Sequence, residues 1–164
     1  MKLSPTERLS LMNQFRILGH LEETEQYDNY VDILQSGYEG LYQHIFEHVY
    51  DPQPAEISDE VFEILDMYRA LDNAYRKGVA VPSEGRPKFD GFDGNNDPHF
   101  GVAQFILDKL GLYAENNGRP RNSHSRAELP IYRQMLARWR GLGKPYDLNE
   151  AQVSDLVGAG LRRA

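Results

Sequence analysis

The chain has 164 residues, 40% hydrophobic and 26% charged, with a formal net charge of -7 and no cysteine. That length and balance suit one globular domain, or one domain with a small appendage, and exclude a disordered or fibrous chain. Without cysteine there are no disulfides, no thiolate catalysis and no cysteine-ligated zinc, so a metal would rest on histidine and carboxylate.

Ser4-Pro5-Thr6-Glu7 predicts a helix start: a serine cap, proline at the first helical position, and glutamate three residues after the cap. Leu9, Leu11, Met12, Phe15, Ile17, Leu18 and Leu21 then carry apolar side chains around more than half the circumference. Such a helix needs cover on two sides, from its own chain or from a second copy. Leu11, Phe15 and Leu18 are the residues expected at a contact between copies.

Thr24 is the expected cap of a second helix, with Tyr27, Tyr30, Val31 and Leu34 at helical spacing and Gly37 as its terminator. The two helices predict an antiparallel hairpin over residues 1–36, beside a helical body over 37–164, or one cooperative domain comprising both. A third helix is expected from Tyr38 through Leu41, Tyr42 and Ile45 to Val49, before the turn at Asp51-Pro52-Gln53-Pro54. On that helix His44, Glu47, His48 and Asp51 offer imidazoles and carboxylates at the spacing of a divalent-metal site. Surface histidines on an acidic helix are the simpler reading, and no metal or cofactor is expected.

Ser58 is expected to open the longest helix, with Val61, Ile64, Leu65, Tyr68, Leu71 and Tyr75 in register and Gly78 as its end. An irregular region follows, with a brief extended piece at 79–81 and the Asp-, Asn- and Gly-rich stretch PKFDGFDGNNDPHFG at 87–101. Asp93, Asn95 and Asp97 alternate as early calcium-loop ligands do, but Pro98 and Gln104 occupy the places where such a loop needs glycine and glutamate. The favoured reading is structural: Asp97 caps the helix that Pro98 starts, while Phe89 and Phe92 pin the loop to the core. Val102, Phe105, Ile106 and Leu110 are the expected buried stripe of that helix.

A second irregular stretch, YAENNGRPRNSHSRAE, leads to a helix expected from about Pro130, with Ile131, Tyr132, Met135, Leu136 and Trp139 inward. Asn149 caps a terminal helix carrying Val153, Leu156 and Val157. With no convincing alternating run, the expected fold class is all-α, multihelical, with two long irregular loops. No segment reaches the roughly 20 apolar residues of a membrane span, and the amino terminus has no signal-type apolar run, so a cytoplasmic location is expected.

Charge is uneven along the chain. Residues 1–75 hold fifteen acids against four bases, whereas 116–146 hold Arg119, Arg121, Arg126, Arg133, Arg138, Arg140 and Lys144 against Glu128 alone. This basic region is a candidate surface for an acidic protein or a nucleic acid. Within it Arg119, Arg121, Asn122 and Arg126 form the densest donor cluster, suited to a phosphate or carboxylate. Arg119 and His124 also match the arginine-to-histidine spacing of the HEPN class of all-α ribonucleases, where histidine would be the base; Arg119, Arg121 and His124 are the candidate catalytic residues of that reading. Pro120 keeps Arg119 out of the helix interior that such a motif occupies.

Several weak motifs in order resemble one family along nearly the whole chain: RL-x-L-x-NQ at Arg8 to Gln14, Met67-Tyr68, F-x-GFD at Phe89 to Asp93, and Tyr132, Met135 and Trp139. Together they are similar to the YfbU family of small bacterial proteins. The resemblance implies a multihelical fold with an N-terminal hairpin beside a larger body, and implies no particular activity. The expected function is therefore a non-enzymatic, homo-oligomeric interaction or regulatory module, the alternative being an RNA-binding protein or metal-independent ribonuclease using Arg119 to Arg126. Arg8, Asn13 and Gln14 are expected in interhelical hydrogen bonds.

Overall fold

The structure is a computed structural model that describes residues 2–80 and 87–161, the side chain of Leu161 excepted. Among the described residues are seven α-helices: α1 (Pro5–Leu21), α2 (Asp28–Ser36), α3 (Tyr42–Ile45), α4 (Ala55–Arg76), α5 (His99–Gln104), α6 (Glu128–Gly141) and α7 (Glu150–Leu161). Single 3-10 turns lie at Glu39–Leu41 and Ala114–Asn116, and α5 runs on into a π-helix, Phe105–Lys109. These residues hold no strand, only an isolated parallel bridge between Phe92 and Asn122. The fold is all-α and multihelical. Val79 and Ala80 join no ladder, and Val81, the end of the extended piece expected there, lies outside the described residues.

The chain forms two compact units, Met1–Pro52 and Gln53–Ala164. The first therefore extends past the hairpin, because Tyr42, Ile45 and Phe46 join Met12, Val31 and Leu34 in one apolar cluster. Ser4 caps α1 as its sequence predicts: its hydroxyl accepts from the Glu7 N–H at 3.3 Å, and the Glu7 carboxylate accepts from the Ser4 N–H at 2.7 Å. α2 starts at Asp28, after Tyr27 and not after Thr24. The Thr24 hydroxyl is instead taken by the Gln26 N–H within the turn, at 3.2 Å, which leaves it no role as a cap. Gly37 closes α2 in the left-handed region at φ 70°. The expected third helix shrinks to one 3-10 turn and the four residues of α3. Only Tyr42 on it is fully buried, too little packing to offset the cost of nucleating a longer helix.

In the second unit α4 supplies the centre of the core. Val61, Ile64, Leu65, Met67, Ala70 and Leu71 have no exposed surface. α4 begins at Ala55, three residues before the expected Ser58, directly behind Pro54, and no side chain caps it. α6 turns Leu129, Tyr132, Met135, Leu136 and Trp139 into this core, and α7 adds Val153, Leu156 and Val157. Asn149 caps α7 reciprocally with Gln152, both bonds at 3.0 Å. The stripe expected on the helix after Pro98 is out of phase. The wider π turn buries Ile106 and Leu107 and leaves Phe105 and Leu110 exposed.

Candidate functional site

The two irregular regions of the second unit clasp each other. The Phe92 N–H donates to the Arg121 carbonyl at 3.1 Å, and the Ser123 N–H donates to the Phe92 carbonyl at 2.9 Å. The Asn122 side-chain carbonyl accepts from Gly94 N–H at 3.2 Å and from His124 N–H at 2.8 Å, so one amide serves both loops. Close approach makes glycine necessary at 91. Its φ is +84°, and a Cβ there would lie 2.2 Å from the Arg121 carbonyl oxygen. Below the clasp, the Tyr132 hydroxyl donates to the Gly91 carbonyl and accepts from the Asp90 N–H, both at 3.0 Å. Phe89, Phe92, Tyr68 and Tyr132 pack around it at ring distances of 5.3 to 6.0 Å. Burial pushes the Tyr132 hydroxyl well above its ordinary pKa, so it stays a donor.

The carboxylates of this stretch turn inward. Asp93, 5% exposed, accepts from the Asn96 side-chain amide and from the Asn95 N–H. Those bonds, the Asn96 amide first, and the Ser125 N–H hold it below the ordinary carboxylate pKa. Asp97 does not cap α5: its carboxylate accepts from the Asp93 N–H at 3.0 Å, tying the loop to itself. Phe89 and Phe92 are fully buried, as the structural reading of this stretch requires.

The basic region is neutralised largely within its own unit. Arg119 donates to Asp72 at 2.9 Å and to the Asn116 side chain at 2.8 Å. Arg121 donates to Asp108 at 3.0 Å and to the carbonyls of Asn116 and Arg119. Arg126 reaches the Ser123 carbonyl, and Glu128 at 3.7 Å. On α6, Arg133 grips Glu60 through two bonds of 2.9 and 2.8 Å, while Arg140 and Lys144 share Glu63. Arg138 is the exposed cation of this set with no ion pair among the described residues. His124 is exposed and lies, with Ser125, in the left-handed region at φ 51° and 66°. Arg119 is thus committed to Asp72 while His124 lies at the surface.

Sequence reasoning missed His99, 3% exposed. Its Nε2 meets Glu60 at 2.7 Å, and its ring lies 5.4 Å from that of Phe92. Nδ1 is buried without a hydrogen-bond partner among the described residues. Glu60 sits below the ordinary carboxylate pKa, chiefly through its bonds from Arg133 and then from His99. The signal in the sequence was Glu60 and Glu63 on α4 against Arg133 and Arg140 on α6, but one sequence does not say which helices are neighbours.

In the first unit, Arg8 makes the expected interhelical bond, to the Leu34 carbonyl at 3.1 Å. Asn13 and Gln14 do not: both are exposed, and Gln14 bonds Ser10 on its own helix. Leu11 and Phe15, expected at a contact between copies, pack into the unit's own cluster, Phe15 lying 5.6 Å from the Tyr27 ring. The outward apolar positions are Leu9, Ile17, Leu18 and Leu21, with exposures of 55, 58, 38 and 71%. The metal face does not form. α3 ends at Ile45, so His48 and Asp51 are not carried over His44, and the ion pair of Glu47 is with its neighbour His48, at 3.3 Å. Among the described residues no group of three or more metal-ligating side chains comes together. No helix among them is long and apolar enough to cross a membrane.

Fold and site together define an all-helical protein of two compact units, in which the clustered polar residues of the larger unit hold its loops and helices together. The chain belongs to the YfbU family: the YfbU domain matches residues 1–159. It is also similar to the UPF0304 protein MJECS11 of Methanocaldococcus jannaschii, 31% identical over 167 residues that cover 96% of this chain and 99% of that protein. Neither name carries an activity.

Proposed function

We propose that this chain is a non-enzymatic, cytoplasmic interaction module that associates with a second copy of itself through the outward face of α1. One observation carries the reading. Leu9, Ile17 and Leu21 stand mostly exposed on a face whose intervening positions are Thr6, Ser10, Asn13, Gln14 and His20, without a lysine, arginine or aspartate. Glu7, at its edge, is engaged with Ser4. Residues 1–52 hold nine acids and three bases, so this unit carries six of the seven net negative charges. Two copies repel over most of such a surface. The α1 face is where they can meet without opposing like charges, and a face that complements itself suits a twofold contact.

The ribonuclease reading has less support, because Arg119 and Arg121 are spent on Asp72, Asp108 and loop carbonyls. The self-association reading is tested by cross-linking. The chain has no cysteine, so Ile17→Cys introduces a single thiol on α1, and Ser154→Cys one on the exposed side of α7 as a control. Mild oxidation is expected to give a covalent dimer with Ile17→Cys and none with Ser154→Cys. Equal yields, or no dimer from Ile17→Cys, would refute the reading.

A further inference from the structure

The first unit has a second surface feature, independent of the α1 face. A groove of about 510 Å³ opens between α2 and the segment that holds α3, lined by Tyr30, Ile33, Tyr38 and Leu41 together with Asp32 and Glu47. Tyr38 and Leu41 are 58 and 41% exposed. Asp32 has no ion pair among the described residues, and that of Glu47 is with the adjacent His48. Of the nearby bases, His44 lines the groove itself, while the arginines are turned elsewhere, Arg8 to the Leu34 carbonyl and Arg16 to Gln35.

We propose that this groove docks a basic, amphipathic helical segment of a partner protein. Its apolar side chains would lie against Tyr30, Ile33, Tyr38 and Leu41, and its lysines or arginines would pair with Asp32 and Glu47. Charge complementarity selects this occupant: an apolar strip flanked by Asp32 and by Glu47, whose ion pair is with the exposed imidazole of the adjacent His48, on a unit with six net negative charges, repels nucleic acid and attracts cations. A helix laid in a groove places anchors at three- and four-residue intervals with charge on its flanks. The partner is a different protein, since this chain's own basic segment is matched by Glu60, Glu63, Asp72 and Asp108.

The test uses the full chain and a fluorescein-labelled synthetic peptide of leucine and lysine at helical spacing, about five turns long, followed by anisotropy. Saturable binding is expected, weakened about tenfold or more by Asp32→Asn with Glu47→Gln. A comparable loss is expected from Leu41→Ser. The paired change Glu23→Gln with Glu25→Gln removes the same charge outside the groove and should cost no more than roughly twofold. Asp32→Lys with Glu47→Lys should restore binding to the same peptide with its lysines replaced by glutamate, which separates lost recognition from lost folding. Equal losses from the two neutralising pairs, no binding at about 1 mM peptide, or failure of the charge swap would overturn the proposal.

Discussion

Gly91 offers the sharpest test of the clasp, because its backbone angle and its surroundings can be separated. Gly91→Ala places a methyl 2.2 Å from the Arg121 carbonyl oxygen at a φ of +84°. Gly118 has a φ of +77° but open space where its Cβ would lie. Both substitutions incur the left-handed penalty of roughly 1–2 kcal/mol. Only Gly91→Ala also forces the loops apart, threatening the two bonds between Phe92 and the 121–123 backbone and the one from Tyr132 to the Gly91 carbonyl. At about 1 kcal/mol for each bond, its total cost comes to roughly 4 kcal/mol. At about 2–4 °C per kcal/mol for a chain of this size, Gly91→Ala should melt about 12 °C lower and Gly118→Ala about 4 °C lower. Differential scanning calorimetry at neutral pH reads both. If the two variants melt at the same temperature, the loops do not support each other as described.

Tyr132→Phe keeps the ring and removes both hydrogen bonds to the 90–91 backbone; a loss of roughly 1–3 kcal/mol is expected in urea titrations, and an unchanged midpoint would show the hydroxyl to be idle. Acid should loosen the second unit. Asp93 and Glu60 titrate below the ordinary carboxylate range when folded, so the stability they contribute is complete above about pH 5 and is lost as pH falls through their depressed values. The melting temperature should therefore fall below about pH 4, less steeply in Asp93→Asn, and the same slope in that variant would remove Asp93 from the account.

What the sequence disclosed was local. The Ser4 and Asn149 capping boxes and the buried register of α4 each depend on residues a few positions apart, so pattern alone locates them. Asp97 and Thr24 failed as caps because their side chains found nearer partners in their own turns, the N–H groups of Asp93 and Gln26. Tyr38 to Val49 shows helical spacing, but Tyr38, Leu41 and Val49 lie exposed, so spacing without packing did not sustain a helix. Nor does spacing say which arc of a broadly apolar helix its own unit covers. Leu11 and Phe15 fell on the covered side of α1, Leu9, Ile17 and Leu21 on the open one. The positive stretch 116–146 shows what local pattern leaves out: the carboxylates that meet Arg119, Arg133 and Arg140 lie on α4, at sequence separations of 47, 73 and 77, and the packing of α6 beside α4 brings the last two together.

Self-association through α1 is read most directly by sedimentation equilibrium of the native chain beside Ile17→Ser with Leu21→Ser. With exposures of 58 and 71%, these side chains have left to gain somewhat more than half of a full burial, roughly 1 kcal/mol each. Counted in both copies of a twofold contact, that is about 4 kcal/mol, or roughly a thousandfold in the dissociation constant. Native protein should weigh as a dimer at micromolar concentration and the double variant as a folded monomer. A native chain that stays monomeric at about 1 mM, or a variant that dimerises as well as the native chain, would contradict the account.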